Sequence, residues 1–258
     1  MASKKTEEVA KSTGPQELQV APDYGDYAGS GWEGTTQDDF AIPFLNLLQP
    51  MSPQVSGESA LDGARPGMLV NSVTNALYGE AGMIFVPSAR QHVFVEWRPR
   101  DSGGGIVARH EPNSDVVQTA KASGLFNQLT TPDGNELIET FYLLGYTLGN
   151  SDDQEPGDVI CIPFWSTKIK RYRAIMYQLN SYKGRPPLFA HRLRITSSSE
   201  KNNQGTFYNY DIAPVNGTVG TSLIAPSSPL IEFGHQLAKQ VQAGETKTAD
   251  NTVSDIPF

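Results

Sequence analysis

The sequence has a single cysteine and no long apolar run. One cysteine, Cys161, excludes an internal disulfide and any zinc site built from several cysteines. It lies in the apolar stretch DVICIPF, which predicts a buried thiol without a catalytic base beside it. No segment is apolar over the length that a membrane span needs, and the charged start MASKKTEEVAKS is not followed by the apolar part of a secretory signal. We therefore expect a cytoplasmic protein without membrane contact.

Catalytic and metal-binding patterns are scarce as well. The glycine-rich stretch DSGGGIVARH lacks the Gly-Lys-Ser/Thr ending of a phosphate-binding loop, and the four histidines do not have metal-ligand spacing. Two acidic pairs, at 38–39 and 152–153, are of the type that a metal-dependent nuclease uses, but both lie in sequence typical of solvated loops. We predict a protein that is not an enzyme and that binds no cofactor or metal.

Composition divides the chain into three parts. Residues 1–38 predict a flexible N-terminal arm, and residues 244–258 predict a disordered tail. Between them, residues 39–243 contain short runs of β-branched and aromatic residues separated by turns. A helix that begins near Ser166 is inserted among these runs, and a C-terminal helix begins at Ser228-Pro229. This pattern predicts a mainly β (α+β) domain, for which we expect a Greek-key barrel.

Positive charge is concentrated in one segment of an acidic chain. The net charge is -8, from 20 basic and 28 acidic residues. Residues 165–201 nevertheless contain nine of the basic residues and a single acid, Glu200. This segregation predicts a local basic surface that attracts polyanions, in a protein that is not basic overall.

Aromatic residues are interleaved with these cations in the inserted helix. With 3.6 residues per turn, Lys170, Arg171 and Arg173 lie with Tyr177 on the side opposite an apolar stripe. Cations neutralise phosphates and exposed rings stack on unpaired bases, so this helix face is typical of a single-stranded nucleic acid site. The alternative for the helix alone is an ordinary solvated face.

The following strands extend the same pattern. Arg192 and Arg194 share one strand face, and Tyr208 and Tyr210 share a face of the next strand. We expect these groups to line one continuous groove, although about half of the aromatic rings have to lie in the core. The predicted DNA contacts are Arg98, Arg100, Lys168, Lys170, Arg171, Arg173, Tyr177, Lys183, Arg185, Arg192, Arg194, Tyr208 and Tyr210.

The chain ends in an apolar tip, Asp255, Ile256, Pro257 and Phe258. The proline limits the entropy lost on docking, while Phe258 can fill a pocket and the carboxylates can pair with a basic rim. The sequence DIPF in this position resembles the C-terminal tip of bacterial single-stranded DNA-binding proteins. In that family the tip recruits replication, repair and recombination enzymes, and an oligonucleotide-binding (OB) barrel holds the DNA. The acidic run before the tip is shorter here than in that family.

Three segments of the body resemble a group of bacteriophage single-stranded DNA-binding proteins encoded near replication and recombination genes. The segments are GSGWEGTTQDDFAIPFLNLLQPMSPQV, ARPGMLVNS and FWSTKIKRYRAIM. The resemblance spans about residues 40–235. It implies an OB-like core and a non-enzymatic role, and it assigns no individual DNA contact.

The sequence therefore predicts non-sequence-specific binding and protection of single-stranded DNA in phage replication or recombination, with enzymes recruited by the tip. Three alternatives stay open. They are a single-strand annealing or recombination mediator protein, a metal-dependent nuclease, and a structural phage protein whose basic segment is an assembly surface. A homo-oligomer is also open, because the apolar stripe of the C-terminal helix fits either the barrel or a second copy. That stripe comprises Leu230, Phe233, Leu237 and Val241.

Overall fold

The computed structural model of the protein describes residues 30–31, 41–57, 59–123, 128–149, 155–203 and 205–244. The chain divides into residues 1–33 and 34–258, and apart from Ser30 and Gly31 all described residues belong to the second unit. Most of the predicted arm lies outside the described residues, as do the tail from residue 245 onwards and its tip.

The described part of this unit contains nine strands and three helices. The strands are β1 (Leu45–Leu47), β2 (Leu69–Asn71), β3 (Leu77–Tyr78), β4 (Met83–Trp97), β5 (Ile106–His110), β6 (Glu136–Leu148), β7 (Val159–Trp165), β8 (Leu193–Asn202) and β9 (Gly205–Pro214). The helices are α1 (Asp115–Ala122), α2 (Lys168–Ser181) and α3 (Pro229–Gln242). The prediction of a mainly β domain with an inserted and a C-terminal helix is confirmed.

Six strands form one antiparallel sheet around the long strand β4. The hydrogen-bonded order is β7-β6-β4-β8-β9, and β5 pairs with the far end of β4. The register between β4 and β6 shifts between Pro87 and Ala89, and this bulge accommodates a proline, which cannot donate to the ladder. Gly145 lies opposite Pro87, and a Cβ there would overlap the Val86 carbonyl oxygen. The two central strands therefore approach closely at the bulge.

Strands β1, β2 and β3 form a second, three-stranded antiparallel sheet. Residues that flank β1 form hydrogen bonds with both outer strands of the larger sheet, β7 and β9. The Cys161 N–H of β7 donates to the Pro43 carbonyl, and the Gln49 side chain exchanges two hydrogen bonds with the backbone of Tyr208 in β9, at 2.8 and 3.0 Å. These are isolated contacts and not a continuous ladder. The expected barrel is therefore not closed, and an OB-like architecture stays a prediction.

Helix α3 covers one face of the six-stranded sheet. It begins where predicted, after Ser228, whose hydroxyl accepts a hydrogen bond from the Leu230 N–H at 3.3 Å. Gly244, with φ of +71°, follows its end and has the left-handed conformation that commonly ends a helix. Leu230, Leu237 and Val241 are buried against β4 and β6. The apolar stripe of this helix thus packs on its own sheet.

Helix α2 covers the opposite face. Its apolar stripe is buried as the periodicity predicts, with Tyr172, Ile175 and Leu179 packed against β6, β7, β8 and β9. The helix begins at Lys168 and not directly after Ser166, because Ser166 has a left-handed φ of +51°. We refer to the two sides of the six-stranded sheet as the α2 face and the α3 face.

A buried carboxylate ties the β4–β5 hairpin to the loop before β6. Glu96 accepts a hydrogen bond from Asn135 Nδ2 at 2.6 Å, and its other oxygen lies 2.6 Å from His110 Nε2. Burial alone would raise the pKa of Glu96. The hydrogen bonds from Asn135 and His110 outweigh burial and hold that pKa below its ordinary value.

We expect Glu96→Gln to lower the free energy of unfolding by about 1–3 kcal/mol at neutral pH, because hydrogen bonds to a buried carboxylate contribute on this scale. The pKa of Glu96 is lower in the folded state than in the unfolded state. Its stabilisation is therefore present above the unfolded-state pKa and is lost as the pH falls through the folded-state pKa. Urea unfolding of wild type and variant at neutral pH and at about pH 3 checks this. A difference of the same size at both pH values would contradict the account.

Candidate nucleic-acid interface

The exposed side of α2 carries a stripe of cations that ends in an aromatic ring. Lys170, Arg173 and Tyr177 are spaced by three and four residues, so their side chains are neighbours on the helix surface. Tyr177 is 74% exposed, the highest value among the large apolar side chains that the structure describes. We call these three residues the α2 crest. An exposed ring beside two cations offers a stacking surface together with phosphate partners.

The beginning of α2 has cations where a helix prefers anions. Lys168, Lys170 and Arg171 lie in its first turn, which contains no acidic residue. A helix N-terminus bears positive partial charge, so each cation there is disfavoured by about 0.3–1 kcal/mol. The Lys168 ammonium lies 3.8 Å from the centroid of the Trp165 ring, which offsets part of this repulsion. The first turn is therefore a region of positive potential that suits an anion.

Carboxylates of flanking strands pair with two arginines of α2. Arg173 Nη2 lies 3.3 Å from Glu139 Oε2 of β6, and Arg171 Nη2 lies 2.7 Å from Glu200 Oε1 of β8. The Arg173 side chain is 61% exposed and the Arg171 side chain 39%. Exposed ion pairs contribute only about 0–1 kcal/mol, so a phosphate can replace such a carboxylate at little cost.

Ring contacts extend from α2 across the sheet. The Tyr172 ring stacks on Phe141 with 4.7 Å between centroids, and Phe141 stacks on His92 at 4.2 Å. His92 in turn lies 5.7 Å from Phe94. The Tyr172, Phe141 and Phe94 rings are buried, so they support the surface side chains and do not offer their faces to bases.

The α2 face also carries basic residues that were not predicted. Arg90 and His92 lie on β4, and Lys121 of α1 lies 4.7 Å from the centroid of the Phe94 ring. The signal for the first two was present in the sequence. Strand alternation backwards from Phe94 places His92 and Arg90 on the face that Phe94 occupies.

The structure divides the predicted contacts between the two faces of the sheet. Arg194 is opposite Ile84, which belongs to the core under α3, whereas its neighbours Leu193 and Ile195 belong to the core under α2. The side chains of Arg192 and Arg194 donate to backbone carbonyl oxygens. The expectation of one continuous basic groove is wrong, because alternate strand residues point to opposite faces and α2 covers only one of them.

Tyr210 is a core residue, which corrects its prediction as a DNA contact. Its side chain is fully buried, and its hydroxyl donates to the Leu45 carbonyl at 2.8 Å. Tyr208 is half-buried and lies so close to Gly67 that a Cβ on the glycine would overlap its ring. The two tyrosines share one face of β9, as predicted, but that face points into the core under α2.

The remaining predicted contacts lie at the ends of elements. Arg98 and Arg100 lie where β4 turns into β5, and Lys183 and Arg185 follow α2 in an exposed loop. Arg185 has a left-handed φ of +43°. The predicted residues that the structure brings together on α2 are Lys168, Lys170, Arg171, Arg173 and Tyr177.

Four further observations concern other predicted features. Cys161 is buried, as predicted, and burial raises the pKa of its thiol. Within the described ranges, no group of three or more His, Cys, Asp or Glu side chains is placed to hold a metal ion. No helix in the described part of the chain has the length and apolarity to cross a membrane. The acidic pairs at 38–39 and 152–153 lie outside the described residues.

Comparison with known proteins identifies a family. A family model described as Pam3 phage gp34-like protein matches residues 10–247. The chain belongs to this family. The match confirms the phage origin that the sequence resemblance implied, and the family description names no ligand or activity. No curated protein and no solved structure matches the chain.

Proposed function

We propose that the protein is not an enzyme and that it binds and protects single-stranded DNA during phage replication or recombination, without sequence preference. The α2 crest is the proposed binding surface. The observation that carries the proposal is the exposed Tyr177 ring in line with Lys170 and Arg173, on a helix whose first turn carries three cations and no acidic residue.

The composition of the crest favours a single strand over a duplex. Each unpaired base presents a face on which a ring such as that of Tyr177 can stack, whereas the bases of a duplex already stack on each other. Stacking and phosphate pairing do not read base edges, so little sequence preference is expected.

The charge distribution predicts how salt affects binding. The chain as a whole is acidic, with a net charge of -8, so affinity has to come from the local cations of α2. Contacts from about three cations to phosphates of a single strand correspond to a slope near -2 in a plot of log affinity against log salt concentration.

Fluorescence anisotropy of labelled oligo-dT tests the proposal. We expect binding at low salt that weakens with the predicted slope, and weaker binding of a duplex of the same length. Absence of binding to oligo-dT at low salt would contradict the proposal. Pairing of complementary strands in the same samples would favour the annealing alternative.

The C-terminal tip is the second part of the proposal, and it is supported by the sequence alone. We propose that Asp255, Ile256, Pro257 and Phe258 recruit replication or recombination enzymes. Deleting these four residues should leave the affinity for oligo-dT unchanged or raise it, because an acidic tail competes with phosphate for the same cations. A large loss of affinity in the same anisotropy assay would show that the tip contributes to DNA binding itself.

A further inference from the structure

We infer that Glu139 occupies a phosphate subsite formed by His92 and Arg173, and that its carboxylate leaves this subsite when DNA binds. The inference rests on the proposed function and adds a specific competitor within the chain. It also assigns a DNA contact, His92, that is not among the contacts predicted from the sequence.

The geometry is that of one anion shared by two donors. Glu139 Oε1 lies 3.0 Å from His92 Nε2, and Arg173 Nη2 lies 3.4 and 3.3 Å from the two carboxylate oxygens. A phosphodiester likewise has two unesterified oxygens and a single negative charge. It can take the place of the carboxylate with one oxygen near His92 and the other near Arg173.

The two donors stay in place when the carboxylate leaves. His92 stacks on the Phe141 ring at 4.2 Å, and the Arg173 guanidinium carbon lies 5.5 Å from the centroid of the same ring. The buried Phe141 ring thus positions both donors independently of Glu139. The subsite is preorganised for a replacement anion.

Distances and exposure indicate which of the two α2 ion pairs opens. The Arg173–Glu139 distances are longer than the 2.7–2.9 Å typical of a strong charge-assisted hydrogen bond, whereas the Arg171–Glu200 distance of 2.7 Å falls within that range. Solvent also reaches Arg173 more than Arg171, since their side chains are 61% and 39% exposed, whereas the two carboxylates are equally exposed at 32%. Glu139 is therefore the carboxylate that phosphate displaces more easily.

Removing the competing charge tests the inference. We expect Glu139→Gln to raise the affinity for oligo-dT about two- to fivefold at low salt, because the ligand no longer has to displace an exposed ion pair. Glu136→Gln is the matched control. It removes the same charge from the same strand, but Glu136 is two residues from Ile138 and therefore shares its position on the α3 face. We expect this control to change the affinity for oligo-dT by less than about twofold. Glu139→Ser should reproduce the gain seen with glutamine.

The gain should depend on the two donors. In a His92→Phe/Arg173→Gln background, adding Glu139→Gln should leave the affinity unchanged, because both groups that the two anions share are gone. A gain that persists in this background would overturn the inference. Equal affinities of Glu139→Gln and Glu136→Gln for oligo-dT, or weaker binding by Glu139→Gln than by the wild type, would also overturn the inference. Those results leave the proposed function intact, whereas failure of the wild type to bind oligo-dT removes the proposed function itself.

Discussion

Reversing the charge of Lys170 and Arg173 together should weaken oligo-dT binding by about a hundredfold at low salt. Each side chain supplies a charge-assisted contact to phosphate worth about 1.5 kcal/mol or more, and a glutamate in its place adds repulsion. Two lost contacts correspond to about 3 kcal/mol, which is roughly two powers of ten in the dissociation constant. Anisotropy titrations of wild type and Lys170→Glu/Arg173→Glu measure this loss.

The matched control for this variant lies on the other face of the sheet. Arg194→Glu/Lys239→Glu changes the net charge by the same amount, and both side chains are exposed on the α3 side. We expect it to reduce affinity less than about tenfold, through long-range repulsion alone, and to keep the wild-type salt slope. Equal losses in the two double variants would show that net charge determines binding and that the α2 crest has no special part.

Removing the ring of Tyr177 should have the second largest effect. Stacking of one base on an aromatic side chain contributes about 1–3 kcal/mol, so Tyr177→Ala should lower the affinity for oligo-dT at least fivefold. Tyr177 is 74% exposed, so its loss should change the free energy of unfolding by less than about 0.5 kcal/mol. Anisotropy and urea unfolding of the same samples separate the two quantities.

Tyr177→Phe is the control for this prediction. It keeps the ring and removes only the hydroxyl, so we expect affinity close to that of the wild type. Equal losses in the alanine and phenylalanine variants would assign the contribution to the hydroxyl, and no loss in either would exclude Tyr177 from the interface.

Local patterns in the sequence predicted the elements well. The apolar stripe of α2, Tyr172, Ile175 and Leu179, follows helical spacing and is buried against the sheet as expected. Helix α3 begins directly after Ser228, where Ser228-Pro229 predicted its start. Such features depend on neighbours a few residues apart, and their periodicity is visible in the sequence.

The site was harder to predict because its geometry is not local. Strand alternation groups Tyr208 with Tyr210, but it does not show that helix α2 covers their face. The same limit applies to Glu139 and Arg173, which form an ion pair 34 residues apart in the chain. Which cations share a surface depends on how the helices are arranged on the two faces of the sheet, and no single segment encodes that arrangement.

The most direct test of the account is to map where a single strand lies on the protein. Irradiating the full chain with an oligonucleotide that carries iodouracil cross-links aromatic residues that stack on bases, and mass spectrometry of the digested complex identifies them. We expect a cross-link at Tyr177 that disappears at high salt. Cross-links confined to other parts of the chain, with Tyr177 unmodified, would contradict the assignment of single-stranded DNA binding to the α2 crest.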